Sequence, residues 1–260
     1  MSLNNKNYYT YINNKTTPIV FIHGVGLDRN MWKPQINFFK KYSTLTYDLL
    51  GHGKTPFNKD KIIMKDFTDQ LISLIENLKI NKLHLVGFSI GSLIALDFAT
   101  YFHNKLSSLT LIATTYKRNE KQRQEVIDRV NLAKLNKPIS KLALKRWFTD
   151  EYLEKNPKIY KEFMKILKKK PNDLKNFIKA YELFANHKDE IKKIKNINTR
   201  TLIMTGSIDP GSTPKMSKNL SRDIKNSHYI EINKGKHLCS IECSDDVNIH
   251  IEKFISNEPN

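Results

Sequence analysis

Cysteine is nearly absent from this 260-residue chain, which has only Cys239 and Cys243. That excludes a disulfide-built scaffold, and two sulfurs without a second ligand pair at metal spacing exclude a structural zinc site. Both thiols are expected to be reduced, buried filler; a redox-sensitive pair four residues apart on one helical face is the alternative. Long apolar runs are missing too. The opening MSLNNKNYYTYINN contains no stretch of signal-peptide length, and no later run approaches a membrane span. The expectation is a cytoplasmic protein with no membrane partner.

Acidic residues are scarce as well: 26 stand against 44 lysines and arginines, a net charge of +18. Such basicity is the electrostatic signature of nucleic-acid binding. Here the excess is lysine accompanied by abundant Asn, Ile, Tyr and Phe, the residues that an AT-rich coding composition over-supplies, so no nucleic-acid partner is expected. The charge is unevenly spread. From Tyr116 to Lys195 there are 23 basic and 11 acidic residues, so this stretch alone carries +12. Within it KILKKKP, residues 165–171, reads as a solvated face.

What the chain does have is a globular composition, 39% hydrophobic and 27% charged, and enough length for one large domain with an inserted subdomain. Short apolar runs alternate with longer amphipathic ones. PIVFIHG (18–24), STLTYDL (43–49), LHLVG (83–87), LTLIAT (109–114), TLIMTG (201–206) and HYIEIN (228–233) read as buried strands. In DFTDQLISLIENLKI, Phe67, Leu71, Leu74, Ile75 and Leu78 fall at the three-and-four spacing of one buried helix face. Strand and helix in alternation predict an α/β fold, with right-handed crossovers and a mainly parallel sheet flanked by helices. Between Thr115 and Asn198 the rhythm stops. That region has no strand-like run and is punctuated by Pro138, Pro157 and Pro171, so residues 116–198 read as a helical cap, or lid, on a core of 1–115 and 199–260.

Gly87-Phe88-Ser89-Ile90-Gly91 fits G-x-S-x-G where that pattern has meaning, after a strand and at the start of a helix. A sharp turn there strains the serine backbone and exposes its hydroxyl beside a helix N-terminus, so Ser89 is the candidate nucleophile, against an incidental turn serine. A serine hydroxyl needs a base, and the base needs an orienting acid. Asp209 follows the strand TLIMTG and His237 follows HYIEIN, both in loops at the sheet's carboxyl edge. The bland readings are a turn-forming Asp before Pro210 and a surface-loop histidine; Asp245 and Asp246 are fallback acids, less well ordered because they follow the histidine. Backbone donors for a tetrahedral oxyanion are expected from the Ile90 amide and from Val25, in the loop flanked by Gly24 and Gly26. His23 reads as a brace for that loop rather than a second base.

HGVGLDRNMW, YDLLGHGKT, GFSIG, TGSIDP and GKHL, in this order, resemble the α/β-hydrolase superfamily from Pro18 to Ile255 apart from the cap. The tryptophan of the first motif, the YD…GHG turn and HLCSIE are most similar to the branch of 3-oxoadipate enol-lactonases and small carboxylesterases. The resemblance implies a cap inserted after the sixth strand of an eight-stranded pattern. It also implies ester or lactone hydrolysis through an acyl-enzyme on Ser89, His237 and Asp209, with no metal or organic cofactor. The expected partner is a small-molecule ester or lactone, and the expected state a monomer or small homo-oligomer. Gly24, Phe88, Trp147 and Leu238 are expected to face the substrate, with Phe148 beside Trp147 in the pocket ceiling. Leu50 stands where the family has arginine and Thr55 where serine is common, both in a shape-giving turn, and NYYTYINN offers one strand in place of a hairpin. A serine nucleophile disfavours the epoxide-hydrolase and haloalkane-dehalogenase branches, which need aspartate. The alternatives are other triad chemistry (C–C bond hydrolysis, imino-peptidase or cofactor-free haloperoxidase activity) or a non-enzymatic basic binding or sensing role.

Overall fold

Strands dense in β-branched and aromatic residues pair into one seven-stranded sheet in the computed structural model, which describes residues 7–135, 140–168 and 171–256. Pro138, used above as a helix break, and Lys169 and Lys170 of KILKKKP lie outside the described residues. The chain enters through β1 (Tyr9–Ile12), crosses to β2 (Ile19–Ile22), and passes a 3₁₀ turn at Arg29–Trp32 and the short α1 (Lys33–Phe38) to β3 (Thr44–Tyr47). Then α2 (Met64–Asn77), β4 (Leu83–Phe88), α3 (Ile90–Tyr101) and β5 (Leu106–Ile112) alternate. Six helices follow without a strand: α4 (Glu120–Lys134), α5 (Ser140–Trp147), α6 (Asp150–Lys155), α7 (Pro157–Leu167), α8 (Pro171–Asn186) and α9 (Ile191–Lys195). The sheet resumes with β6 (Thr201–Gly206), α10 (Pro214–Asp223) and β7 (Ser227–Ile232), and the chain closes with α11 (Cys239–Glu242) and α12 (Ser244–Ser256).

The strand order is β1-β3-β2-β4-β5-β6-β7, with β1 antiparallel to β3 and every other pair parallel. Because side chains alternate across a strand, each strand feeds two cores. Val20, Ile22 and Leu85 pack with Phe67 and Leu71 of α2 on one face, while Ile19, Phe21 and Val86 pack with Trp32, Ile251 and Phe254 on the other. Helix α2 buries Phe67, Leu71, Leu74 and Ile75, and Asp66 anchors its start by accepting from the Ile63 N–H at 2.9 Å.

Two strand expectations need correction. HYIEIN is not a fully buried strand, since only Ile232 of β7 is buried; β7 is the last strand in the order and has a neighbour on one side only. β5 begins at Leu106, three residues before its apolar run, because its polar start is satisfied: the Ser108 hydroxyl lies 2.8 Å from His84 Nδ1 on β4. Helices α4–α9 do not form a core of their own among the described residues. Residues of α4 and α8 extend the first cluster, and those of α5 and α7 extend the second. No helix among the described residues is long and apolar enough to cross a membrane.

Candidate active site

Ser89 sits between β4 and α3 with φ +56° and ψ −117°, a conformation that costs an L-residue about 1–3 kcal/mol. The surroundings impose it. The Ser89 N–H donates to Ile112 O on β5 at 2.9 Å, and the Ser92 hydroxyl reaches both Ser89 O (2.9 Å) and Ile112 O (3.0 Å). The flanking glycines are a packing requirement. A Cβ on Gly87 would lie 2.4 Å from Gly91 O, and one on Gly91 would lie 2.3 Å from Ile22 O, both backbone atoms that cannot step aside.

His237 comes from the loop after β7 and Asp209 from the loop after β6, so three parallel strands deliver all three groups to one sheet edge. His237 Nε2 is 3.3 Å from Ser89 Oγ, and His237 Nδ1 is 2.7 Å from Asp209 Oδ2. Asp209 Oδ1 accepts from the N–H groups of Gly211 (2.8 Å) and Ser212 (3.0 Å). A carboxylate held this way presents Oδ2 as an acceptor, so Nδ1 carries the imidazole proton and Nε2 faces the serine as a base. All three residues are buried, and the Phe88 ring lies 5.0 Å from the His237 ring. Asp245 and Asp246 are exposed in the first turn of α12 and take no part.

The loop after β2 is shaped from beneath. His23 Nδ1–H donates to Gly24 O at 2.8 Å, while its Nε2 accepts from the Leu49 N–H at 2.9 Å, which is the bracing role read from the sequence. Asp48 ties this loop to the next: its carboxylate accepts from the Arg29 N–H (2.9 Å), the Arg29 guanidinium (2.6 Å) and the Lys54 N–H (2.9 Å). Leu50 is buried in the core and the Thr55 hydroxyl accepts from Tyr8 N–H at 3.1 Å, so the two family departures serve the turn. Above, Val25 lines the space over Ser89, and neither its amide nor that of Ile90 donates to a protein acceptor among the described residues.

The cap is fastened to both sides of His237. Lys236 N–H donates to Glu242 Oε2 at 3.1 Å; Glu242 Oε1 accepts from Thr149 N–H at 2.9 Å and also from the Thr149 hydroxyl. On the other side Leu238 N–H donates to Trp147 O at 2.9 Å. The end of α5 and the start of α6 therefore share hydrogen bonds with the loop that carries the histidine.

A narrow cleft reaches Ser89 and His237. Of the four residues expected to face substrate, Phe88 and Trp147 line it and two do not. Gly24 is backed against Phe88, where a Cβ would fall 2.7 Å from the ring, and the Leu238 side chain is buried in the core with Cys239. Phe148 is also core, stacked on Tyr152 at 5.4 Å, and is not part of the ceiling. The cleft's other polar lining has no signature in the sequence motifs: Thr115 beyond β5, Arg129 on α4, Arg146 on α5, Tyr181 on α8 and Ser212 beside Asp209. One signal was available, since Arg129 and Arg146 are two of only four arginines among the 23 basic residues of that stretch.

Both cysteines are free; burial pushes both thiols up, that of Cys243 to about 11. No group of three His, Cys, Asp or Glu side chains converges as a metal ion would require among the described residues.

A model of the alpha/beta hydrolase fold family matches residues 17–242. Among curated proteins, the (E)-2-((N-methylformamido)methylene)succinate hydrolase of Acinetobacter baylyi is 28% identical over 98% of this chain and 97% of its own length. The 3-oxoadipate enol-lactonase 1 of the same organism is 28% identical over 86% of this chain and 83% of its own. Among solved structures, the enol-lactonase of Burkholderia xenovorans superposes with a TM-score of 0.90 at 22% identity, covering 98% of both chains. At that identity the structural likeness speaks for the fold alone.

Proposed function

The chain belongs to the alpha/beta hydrolase fold family, and on that premise we propose that it cleaves a carboxylic ester or lactone through an acyl-enzyme on Ser89. The Ser89 hydroxyl attacks the carbonyl carbon as His237 Nε2 takes its proton, and Asp209 holds the imidazole in the required tautomer. The developing oxyanion is received by the Val25 and Ile90 amides, which have no protein acceptor to lose among the described residues. The protonated His237 then gives its proton to the departing oxygen, leaving the acyl group on Ser89. A water molecule, deprotonated by the same histidine, attacks that ester and releases the acid with Ser89 restored. The helices between 116 and 198 act as the lid over this chemistry.

The observation that supports this reading most is the unbroken hydrogen-bonded chain from Ser89 through His237 to Asp209, set at the carboxyl edge of the sheet and open to a cleft. Ser89→Ala tests it. Turnover of p-nitrophenyl acetate should fall by about 10⁴-fold or more with the circular dichroism spectrum unchanged, whereas undiminished turnover would remove Ser89 from the mechanism. A second reading has one specific support, the long match to the methylenesuccinate hydrolase, whose named substrate contains a formamide in place of an ester. In that case the departing atom protonated by His237 is nitrogen, and an amide of that class would be turned over faster than any ester.

A further inference from the structure

Two guanidiniums close the cleft from the cap side. Arg129 and Arg146 are half-buried and line the same space as Ser89 and His237, and no lysine lines it among the described residues. Many cap cations are already neutralised: Lys117, Lys134, Lys155, Lys193 and Lys195 each lie within 3.5 Å of a carboxylate. Arg129 and Arg146 have no carboxylate within 4.0 Å among the described residues. What they share is a neutral group, the buried phenol of Tyr181, whose oxygen accepts from Arg129 Nε at 3.1 Å. Burial alone would push the pKa of that phenol up, and the two cations together bring it below the ordinary tyrosine range. Across the cleft, the Thr115 hydroxyl is buried with no hydrogen-bond partner among the described residues.

Two partly desolvated positive charges around one phenol repel each other, and a bound anion would offset that cost. The planar fork of arginine matches a carboxylate, and nature has placed arginine here in a chain whose surface charge is otherwise supplied mostly by lysine. We propose that Arg129 and Arg146, with the hydroxyls of Tyr181 and Thr115, form a carboxylate-binding subsite beside Ser89. The compound hydrolysed there therefore carries a carboxylate in addition to its scissile bond. This names the substrate class for the reaction proposed above and rests on that reading for its catalytic consequence. It also separates the cap's two contributions to charge: the lysines are surface composition, and these two arginines are selective.

The test is binding, so that it does not depend on turnover. Ser89→Ala protein is titrated calorimetrically with succinate, glutarate and adipate, and with the corresponding diamides as neutral controls. At least one dicarboxylate should bind at least tenfold more tightly than its diamide. Arg129→Gln and Arg146→Gln in the same background should each weaken it at least tenfold, while Arg129→Lys and Arg146→Lys, which keep the charge and lose the fork, should fall between. The proposal is overturned if no dicarboxylate binds in preference to its diamide, or if folded Gln variants bind as well as the parent. Binding as expected with no ester, lactone or amide hydrolysis by the Ser89 enzyme would overturn the reaction and leave the subsite standing. Hydrolysis without preferential binding would do the reverse.

Discussion

Glu242→Gln isolates the contact between the cap and the histidine loop. The carboxylate serves three donors: Oε1 takes the Thr149 N–H and hydroxyl, and Oε2 takes the Lys236 N–H. Glutamine has the same shape but one acceptor oxygen. If that oxygen stays on Thr149, the new NH₂ confronts the Lys236 N–H; if it flips, the NH₂ confronts the Thr149 N–H. One charge-assisted hydrogen bond is lost either way, worth about 1.5–3 kcal/mol, and the half-exposed position of Glu242 favours the lower figure. For a chain of this size that is a fall of about 3–6 °C in melting temperature. The loop also loses its hold one residue before His237, while Leu238 keeps its bond to Trp147 O. Ester turnover should therefore show kcat reduced about tenfold, or about 1.4 kcal/mol, with KM changed much less. The assay is steady-state hydrolysis and thermal unfolding of Glu242→Gln, Thr149→Ala and the double variant. A coupling above about 0.5 kcal/mol between the two sites is expected in both readouts. Additive effects, or an unchanged kcat, would refute the idea that the cap positions the base.

Three further outcomes follow from the geometry. Asp209→Asn should lower kcat by about 10⁴-fold while leaving the fold intact, because an amide can donate to Nδ1 and fix the wrong tautomer; a loss under tenfold would show that another group orients His237. Gly91→Ala should destabilise the protein by about 3 kcal/mol or more, read by chemical denaturation, since its methyl would meet the Ile22 carbonyl at 2.3 Å; near-normal stability would contradict the close approach of α3 to β2. Cys243 should resist iodoacetamide at pH 8. The thiolate is the reactive form, and a thiol pushed from 9 to about 11 by burial holds about a hundredfold less of it; rapid labelling of native protein would contradict that shift.

The geometry of the candidate site was legible because it is written in local constraints. A strand, a tight turn and a helix meet at Ser89 only if Gly87 and Gly91 carry no side chain, and that leaves a five-residue trace. Asp209 and His237 were legible from chain order and from standing just after strands, which parallel topology sends to the same edge. Leu238 was misplaced for an equally physical reason. Adjacency in sequence to His237 does not fix side-chain direction, and the Leu238 side chain is buried in the core beside Cys239. The cleft's cap side was beyond reach. Arg129, Arg146 and Tyr181 sit on three helices, α4, α5 and α8, whose mutual placement comes from tertiary packing and has no periodic signature. The scarcity of arginine in that stretch marks Arg129 and Arg146 but says nothing of their meeting in one cleft.

The most direct test of the central claim is covalent. An alkyl fluorophosphonate incubated with the intact protein should phosphonylate a single site, with fluoride displaced by the Ser89 oxygen, and peptide mapping should place the adduct within GFSIG. Labelling should be lost in Ser89→Ala and should slow sharply in His237→Gln. An unlabelled protein, or an adduct that persists when Ser89 is replaced, would contradict an activated nucleophile at the β4–α3 turn.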